Sequence, residues 1–446
     1  MMTEIDAWLG VRFATLEHPF AAPRMTAAVA PDAPGGVFGP APVQPAVPGF
    51  DLPGGQSSTE CLTLNVWAPR GAAGSPVVVW VFGGGFEVGT ASTPLFDGGA
   101  LAAAADAVVV TVNYRVGAYG FGSFAARGGA LAAAHDLGLQ DVCTALRWIN
   151  AAAASFGGDA SRVTVVGQSA GAFLTAAAAV APGVPRPRAV ACFSGGASRV
   201  VSAADAADFG DAILERLDLS TDTEKLLSVD PVDVVAAQTA VAPRDLAVRN
   251  GIRPVGFGVA SDAGHRDAVV PRHPMDAIAA GALRDTFVLA AAGTDEMEGF
   301  DPGSVPVLDG PLADAVAALA GEAPATVLDA YRDDDAAWRR VLGDYIYRLP
   351  AARLVQAQRG AGGGAAYLEV GHDGDSPGGH GVELPGLFAR NEDDRSRAVQ
   401  SVIVALIRDG RVDGGSLDAP LAVGAVPPVS LGPSDLIDVW RGVDRP

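Results

Sequence analysis

The sequence predicts an α/β fold, a mostly parallel central sheet flanked by helices, and three observations carry that expectation. Short β-branched runs recur from about Leu62 onward: LTLNVW, VVVWVF, AVVVTVNYR, RVTVVG and RAVACFSGG. Between them lie Ala-rich segments of helical length, the pattern of parallel strands joined by crossover helices. Finally, 49% hydrophobic residues against 18% charged ones give ample apolar area to offset the entropy of ordering.

The elements follow in order. Residues 1–58 are rich in Pro, Ala and Gly and read as an irregular arm laid on the surface. The alternating strands and helices run from there to about residue 202. Between about 203 and 352 helical stretches dominate, interrupted by the strand candidate TFVLAAAG at Thr286 to Gly293, and this region reads as an insertion into the sheet's connectivity. AAYLEV, Ala365 to Val370, is a last strand. Val399, Val402, Ile403 and Leu406 then recur at helical spacing within a helix near Asp393 to Arg408. Residues 411–446 read as a surface tail. The expectation is a single domain over residues 1–446, with arm, insertion and tail as its parts.

Composition narrows the function classes. Lys plus Arg number 31 and Asp plus Glu 51, so the formal charge of −20 repels phosphate backbones and anionic lipid surfaces. Nucleic acid and membrane are therefore not expected as partners. Cys61, Cys143 and Cys192 lie too far apart for a metal-binding or CxxC spacing, and a disulfide scaffold is excluded. The opening MMTEIDAW is acidic where a leader would be basic, and no apolar run approaches the length of a bilayer span, so a cytoplasmic protein is expected. Lys225 is the only lysine and sits in the polar segment TDTEKLLS, which leaves amine chemistry almost no candidate.

One segment reads as chemistry. VTVVGQSAGAFLTAAAAVA, from Val163, is a strand, then GxSxG, then a helical stretch. A serine between glycines at such a turn can adopt a strained conformation that exposes its hydroxyl at the carboxyl edge of the sheet. The following helix points its N-terminal N–H groups toward charge developing near Ser169. Upstream, VVVWVFGGGF (Val77 to Phe86) is another strand entering glycines. There the N–H groups of Gly84 and Gly85 can join that of Ala170 around an oxyanion. In this architecture an acid and then a histidine follow the serine. The residues leave Asp295, Glu296 and Glu298 open for the acid, and His372 and His380 open for the base. His18, His135, His265 and His273 fit poorly in chain order or placement.

These motifs resemble the type-B carboxylesterase family, which includes p-nitrobenzyl esterases and cholinesterases. The resemblance rests on TECLTLNVWAP (Thr59 to Pro69), WVFGGGF, VNYRVGAYGF (Val112 to Phe121), ALRW (Ala145 to Trp148) and FGGDASRVTVVGQSAGAF from Phe156. GTDEMEGF (Gly293 to Phe300) and HGVELPGLF (His380 to Phe388) complete it, covering residues 59 to 410 in the family's order. It implies an α/β-hydrolase fold, Ser169 as nucleophile, and Gly84, Gly85 and Ala170 as oxyanion donors. It selects Glu298, the glutamate before glycine in EGF, as the acid, and His380 as the base. It pairs Arg115 with Asp141 as a structural ion pair.

Three departures from the family's pattern stand out. Phe82 replaces the usual His or Tyr before the glycines. Gln168 replaces the usual glutamate beside the nucleophile, which weakens attraction for cations. No tryptophan lies between Trp8 and Trp67, so a quaternary ammonium loses its best platform. Cys61 resembles half of a disulfide whose earlier partner is missing, and a free thiol is expected. The implied chemistry is hydrolysis of a neutral small-molecule ester through an acyl-enzyme, with no cofactor or metal required. The competing readings are a catalytically silent hydrolase fold used for binding, and a serine hydrolase acting on amides, carbamates or polyesters.

Overall fold

The computed structural model describes residues 3–46, 57–261, 268–331, 336–390, 393–427 and 430–443. Parts of the expected arm, insertion and tail, and His265, lie outside the described residues.

The core is a ten-stranded sheet. Its strands are β1 (Ile5–Arg12), β2 (Gly35–Gly36), β3 (Thr63–Pro69), β4 (Ser75–Val81), β5 (Val108–Val112), β6 (Gly158–Gln168), β7 (Ala189–Phe193), β8 (Phe287–Gly293), β9 (Ala365–Val370) and β10 (Leu421–Val423). They lie in the order β10-β9-β8-β7-β6-β4-β5-β3-β1-β2. From β10 to β5 every pairing is parallel, while β3 runs antiparallel to both β5 and β1. Parallel strands covered by helices on both faces are buried on both faces, and the continuous apolar runs of β4, β5 and β7 are buried throughout.

Four helices matter below: α1 (Leu137–Ala152), α2 (Ala170–Val180), α3 (Leu246–Asn250) and α4 (Asp394–Asp409). The hydrophobic spacing in α4 is realised as Val399, Ile403 and Leu406 on its buried face. Its start is capped by the Asp393 carboxylate, which accepts the Ser396 N–H at 2.7 Å.

Two expectations are corrected. The N-terminal arm is not irregular throughout, because β1 pairs with β3 inside the main sheet. Its signal was present: Ile5, Ala7, Leu9 and Val11 alternate with Asp6, Trp8, Gly10 and Arg12, the period of a half-buried strand. The tail is not merely a surface strap either. β10 forms the sheet edge, and Leu436, Trp440 and Val443, spaced to share one helical face, are wholly buried in a second hydrophobic cluster with Tyr331, Tyr345 and Ile346.

The arm is tied to the core by one buried ion pair. Arg115, after β5, meets Asp141 of α1 in a two-pronged contact, Nη2 to Oδ1 at 2.7 Å and Nε to Oδ2 at 2.8 Å. Its Nη1 donates to the carbonyls of Pro19 and Ala21 at 2.9 and 2.8 Å. Both side chains are essentially inaccessible to water. Removing one member strands the other charge in a low-dielectric interior, so Arg115→Met should cost about 3–5 kcal/mol. Arg115→Met/Asp141→Leu, which leaves no buried charge, should recover part of it. Urea unfolding midpoints of the two variants check this.

Candidate active site

The turn after β6 is shaped by glycines that have no room for a side chain. A Cβ on Gly167 would lie 2.2 Å from the Gly171 carbonyl oxygen. One on Gly171 would lie 2.1 Å from that of Val81, and one on Gly83 would lie 2.9 Å from the Ser169 Cβ. Strand end, helix start and the neighbouring loop are thus pressed together. Between them Ser169 takes φ 55° and ψ −125°, a region that side chains other than glycine rarely adopt. Its N–H donates to the Phe193 carbonyl at 2.8 Å, and its own carbonyl accepts the Ala172 N–H at 2.9 Å. The serine therefore begins α2 at the carboxyl end of β6.

Because β4 pairs with β6 in parallel, with Val81 opposite Gly167, the glycine loop emerges beside the serine. Gly84 and Gly85 have φ of 126° and 63°. The Gly84 carbonyl accepts the N–H groups of Glu87 and Val88, both at 3.0 Å. Among the described residues, the N–H groups of Gly84, Gly85 and Ala170 donate to no protein acceptor. All three residues line one cavity, and unspent donors in such a place suit an oxyanion. Phe82 lies beneath them, stacked on Tyr114 with ring centroids 4.2 Å apart, and the Tyr114 hydroxyl donates to its carbonyl at 2.7 Å.

The carboxylates and histidines left open by the sequence follow the adjacent strands β8 and β9. Here the choice of Glu298 is corrected. Glu298 is half exposed and lies 3.6 Å from Arg339. Glu296, 1% exposed, places Oε2 at 2.7 Å from His380 Nδ1 and takes the Gly293 N–H on Oε1 at 2.7 Å. The physical reason is the turn that follows β8: the Glu298 N–H donates to Asp295 O, and the chain has by then turned outward. Asp295 faces the other way, meeting His372 Nε2 at 2.7 Å in a pair about 30% exposed. The two open histidines thus belong to two separate pairs, and only the His380 pair reaches the serine's cavity.

That cavity, of about 700 Å³, is lined by Ser169, Ala170, Gly84, Gly85 and His380, together with Gln168, Phe173, Phe300 and Tyr347 among others. The carboxylate at Nδ1 fixes the imidazole tautomer, so Nε2 carries the lone pair and faces the cavity. Gln168 Nε2 lies 3.2 Å from it. The rings of Tyr347 and Phe300 flank the imidazole, with centroids at 4.5 and 5.2 Å. Tyr347 sits on a single π-helical turn, Asp344–Arg348, and such turns have no reliable sequence signal. Its buried Arg348 is held by Asp344 and Glu369 at 2.6 and 2.7 Å. Among the described residues no group of three or more His, Cys, Asp or Glu is placed to hold a metal ion.

Glu383, in the turn after His380, was missed by the sequence reading. It is 1% exposed, and neither carboxylate oxygen has a hydrogen-bond partner among the described residues. Burial first, and the charge of Glu296 second, push its carboxyl up to about 7. Since an unfolded glutamate titrates near 4.5 and the folded one near 7, folding favours the protonated form. The native state therefore loses stability as pH rises between those values, by up to about 3 kcal/mol. Glu383→Gln should abolish this share of the pH dependence. Unfolding midpoints of wild type and variant should converge near pH 4.5, with the variant the more stable at pH 7.5.

The chain is similar in sequence and fold to known proteins. The model of the carboxylesterase family matches residues 1–303. The para-nitrobenzyl esterase of Bacillus subtilis is 35% identical over 243 residues, which is 54% of this chain and 48% of that protein. The match thus spans about half the length of that relative. A PNB esterase structure superposes with TM-score 0.76 at 27% identity, covering 91% of this chain and 87% of that one. A Geobacillus stearothermophilus carboxylesterase superposes with TM-score 0.78 at 26% identity, covering 94% and 90%. The sheet has the α/β-hydrolase order, and the chain belongs to the carboxylesterase family.

Proposed function

We propose that the protein is a serine carboxylesterase that hydrolyses neutral small-molecule esters through an acyl-enzyme. The observation that carries this reading is the convergence, on one cavity, of a strained serine, an imidazole held by a buried glutamate, and unspent main-chain donors. Glu296 takes the role that the resemblance assigned to Glu298.

His380 Nε2 removes the hydroxyl proton as Ser169 Oγ attacks the ester carbonyl. Glu296 holds Nδ1–H and stabilises the imidazolium that forms. The N–H groups of Gly84, Gly85 and Ala170 bear the oxyanion. His380 returns the proton to the leaving alkoxide, then draws one from water, whose attack releases the acid and regenerates the serine. Gln168, Phe300 and Tyr347 beside His380 carry no charge, and the charged side chains of the lining are engaged, Arg249 with Glu87, Arg244 with Asp301 and Arg199 with Asn250, which supports an uncharged substrate. For location we infer the cytoplasm, on the grounds that Cys61, Cys143 and Cys192 are buried, unpaired thiols pushed up to about 12 by burial. Among the described residues no helix is long and apolar enough to cross a membrane.

The test is hydrolysis of p-nitrophenyl butyrate. Ser169→Ala and His380→Ala should lose essentially all turnover, whereas His372→Ala should keep it within about twofold. Glu296→Gln, which permits the wrong tautomer, should lose roughly 10⁴-fold in kcat. Glu298→Gln should stay near wild type. Equal rates for Ser169→Ala and wild type would refute the esterase reading, and equal rates for Glu296→Gln and wild type would refute the assigned acid.

A further inference from the structure

The glycine loop is held partly from outside the sheet. Helix α3, in the inserted region, sends Arg249 across to it. Arg249 Nη2 donates to the Gly85 carbonyl at 3.2 Å and to the carboxylate of Glu87, two residues further on. The two side chains are only 16% and 18% exposed. Other carbonyls of the loop are fixed by the main chain: Gly84 O by the N–H groups of Glu87 and Val88, and Phe86 O by that of Gly117 at 2.7 Å. Gly85 O is held by a side chain instead.

The consequence follows from peptide geometry. In a trans peptide the C=O and the N–H point in opposite directions, so anchoring a carbonyl aims the next residue's N–H. Anchoring Gly84 O aims the N–H of Gly85, and anchoring Gly85 O fixes the next plane, which carries the N–H of Phe86, so that Gly85 and its donor are held from both sides. Gly85 and Phe86 stand in succession at φ 63° and 67°. A phenylalanine rarely occupies that region and stays there only where its surroundings over-determine it. Helix α3 is a firm base for the clamp. Its cap Asp245 accepts the Ala247 N–H at 2.8 Å, Leu246 N–H donates to Ser304 O at 2.9 Å, and Asn250 takes the Arg199 guanidinium.

We propose that Arg249 is a positioning residue for the oxyanion donors: it clamps the Gly85 carbonyl while Glu87 orients its guanidinium, so the inserted region sets the hole's geometry. This rests on the esterase reading and adds to it that a residue remote from the nucleophile in sequence tunes transition-state binding. The clamp lies in the cavity wall, with its charges spent on each other and on the Gly85 carbonyl rather than offered to a substrate. Its loss should therefore appear in kcat and spare KM.

The experiment is steady-state kinetics on p-nitrophenyl butyrate, with rates expressed per titrated active serine, and inhibition by an alkyl trifluoromethyl ketone that forms a tetrahedral adduct. Arg249→Met should lower kcat about 10- to 100-fold, with KM within about threefold, and raise the ketone Ki in parallel. Arg249→Lys, which reaches one acceptor at a time, should recover part of the loss. Glu87→Gln should cost several-fold, and Glu87→Gln/Arg249→Met should be no worse than Arg249→Met. A merely structural role would lower the fraction of active protein and leave kcat per site and Ki unchanged; that result overturns the clamp. Should Arg249→Met fail to fold, Glu87→Gln decides by the same criterion. Absence of serine-dependent hydrolysis in the wild type would overturn the esterase reading and this inference together, whereas unchanged kcat in the variants overturns this inference alone.

Discussion

The site depends on one steric constraint, the close approach of three backbones at Gly83, Gly167 and Gly171. The carboxyl ends of β4 and β6 can lie side by side with α2 starting at once only if none of these positions carries a Cβ, since each would fall within 3 Å of a neighbouring atom. Ser169 absorbs the remaining geometry as a positive φ. The strain is local, of order 1–3 kcal/mol, and is borne by a sheet whose neighbouring strands and covering helix are fully buried. A serine on a relaxed strand would point into that packing. On this turn it points into the cavity, and the glycine loop beside it is left with N–H groups to offer.

The sheet order then does the assembling. Reading from β9 to β4, successive strand ends deliver His380, Glu296, a spacer in β7, Ser169 and the glycines proposed as oxyanion donors. Crossover connections make residues more than 200 positions apart neighbours. Each of these functional groups sits on a loop at the carboxyl edge, so the rigid sheet fixes their spacing and the loops carry the chemistry.

This division explains what could be read in the sequence. The strained turn at Ser169 and Ala170 and the glycine loop at Gly84 and Gly85 were legible because their signals are local: a β-branched run, small residues at the turn, a helical run behind. The strand and helix alternation was legible for the same reason. The acid was not. Asp295, Glu296 and Glu298 lie within four residues, and their neighbourhoods are alike in composition. Which one faces inward is settled by how the turn closes after β8 and by where His372 and His380 arrive, and both are tertiary facts. The family pattern pointed to the glutamate before glycine, yet in this chain the Glu298 side chain has already turned toward Arg339. Glu383 and Tyr347 were illegible for a related reason. Burial without a partner, and a register gained from one π-helical turn, leave no pattern in composition or period.

The buried charges around the site are arranged so that only one carboxylate acts on the imidazole. Glu296 spends one oxygen on the Gly293 N–H and the other on His380, so its charge is held by two hydrogen bonds. Glu383 has no such partners and is pushed toward its neutral form, largely by burial, with the charge of Glu296 adding to it. Were Glu383 to ionise as readily, a second buried negative charge would act on Glu296, and the mutual repulsion would work against both charges. Arg348, in the same wall, spends its charge on Asp344 and Glu369 and turns away from the site. The charged side chains that line the cavity are paired as well, Arg249 with Glu87 and Arg244 with Asp301, in a chain of formal charge −20. On the proposed mechanism main-chain donors, rather than a free cation, would bear the oxyanion.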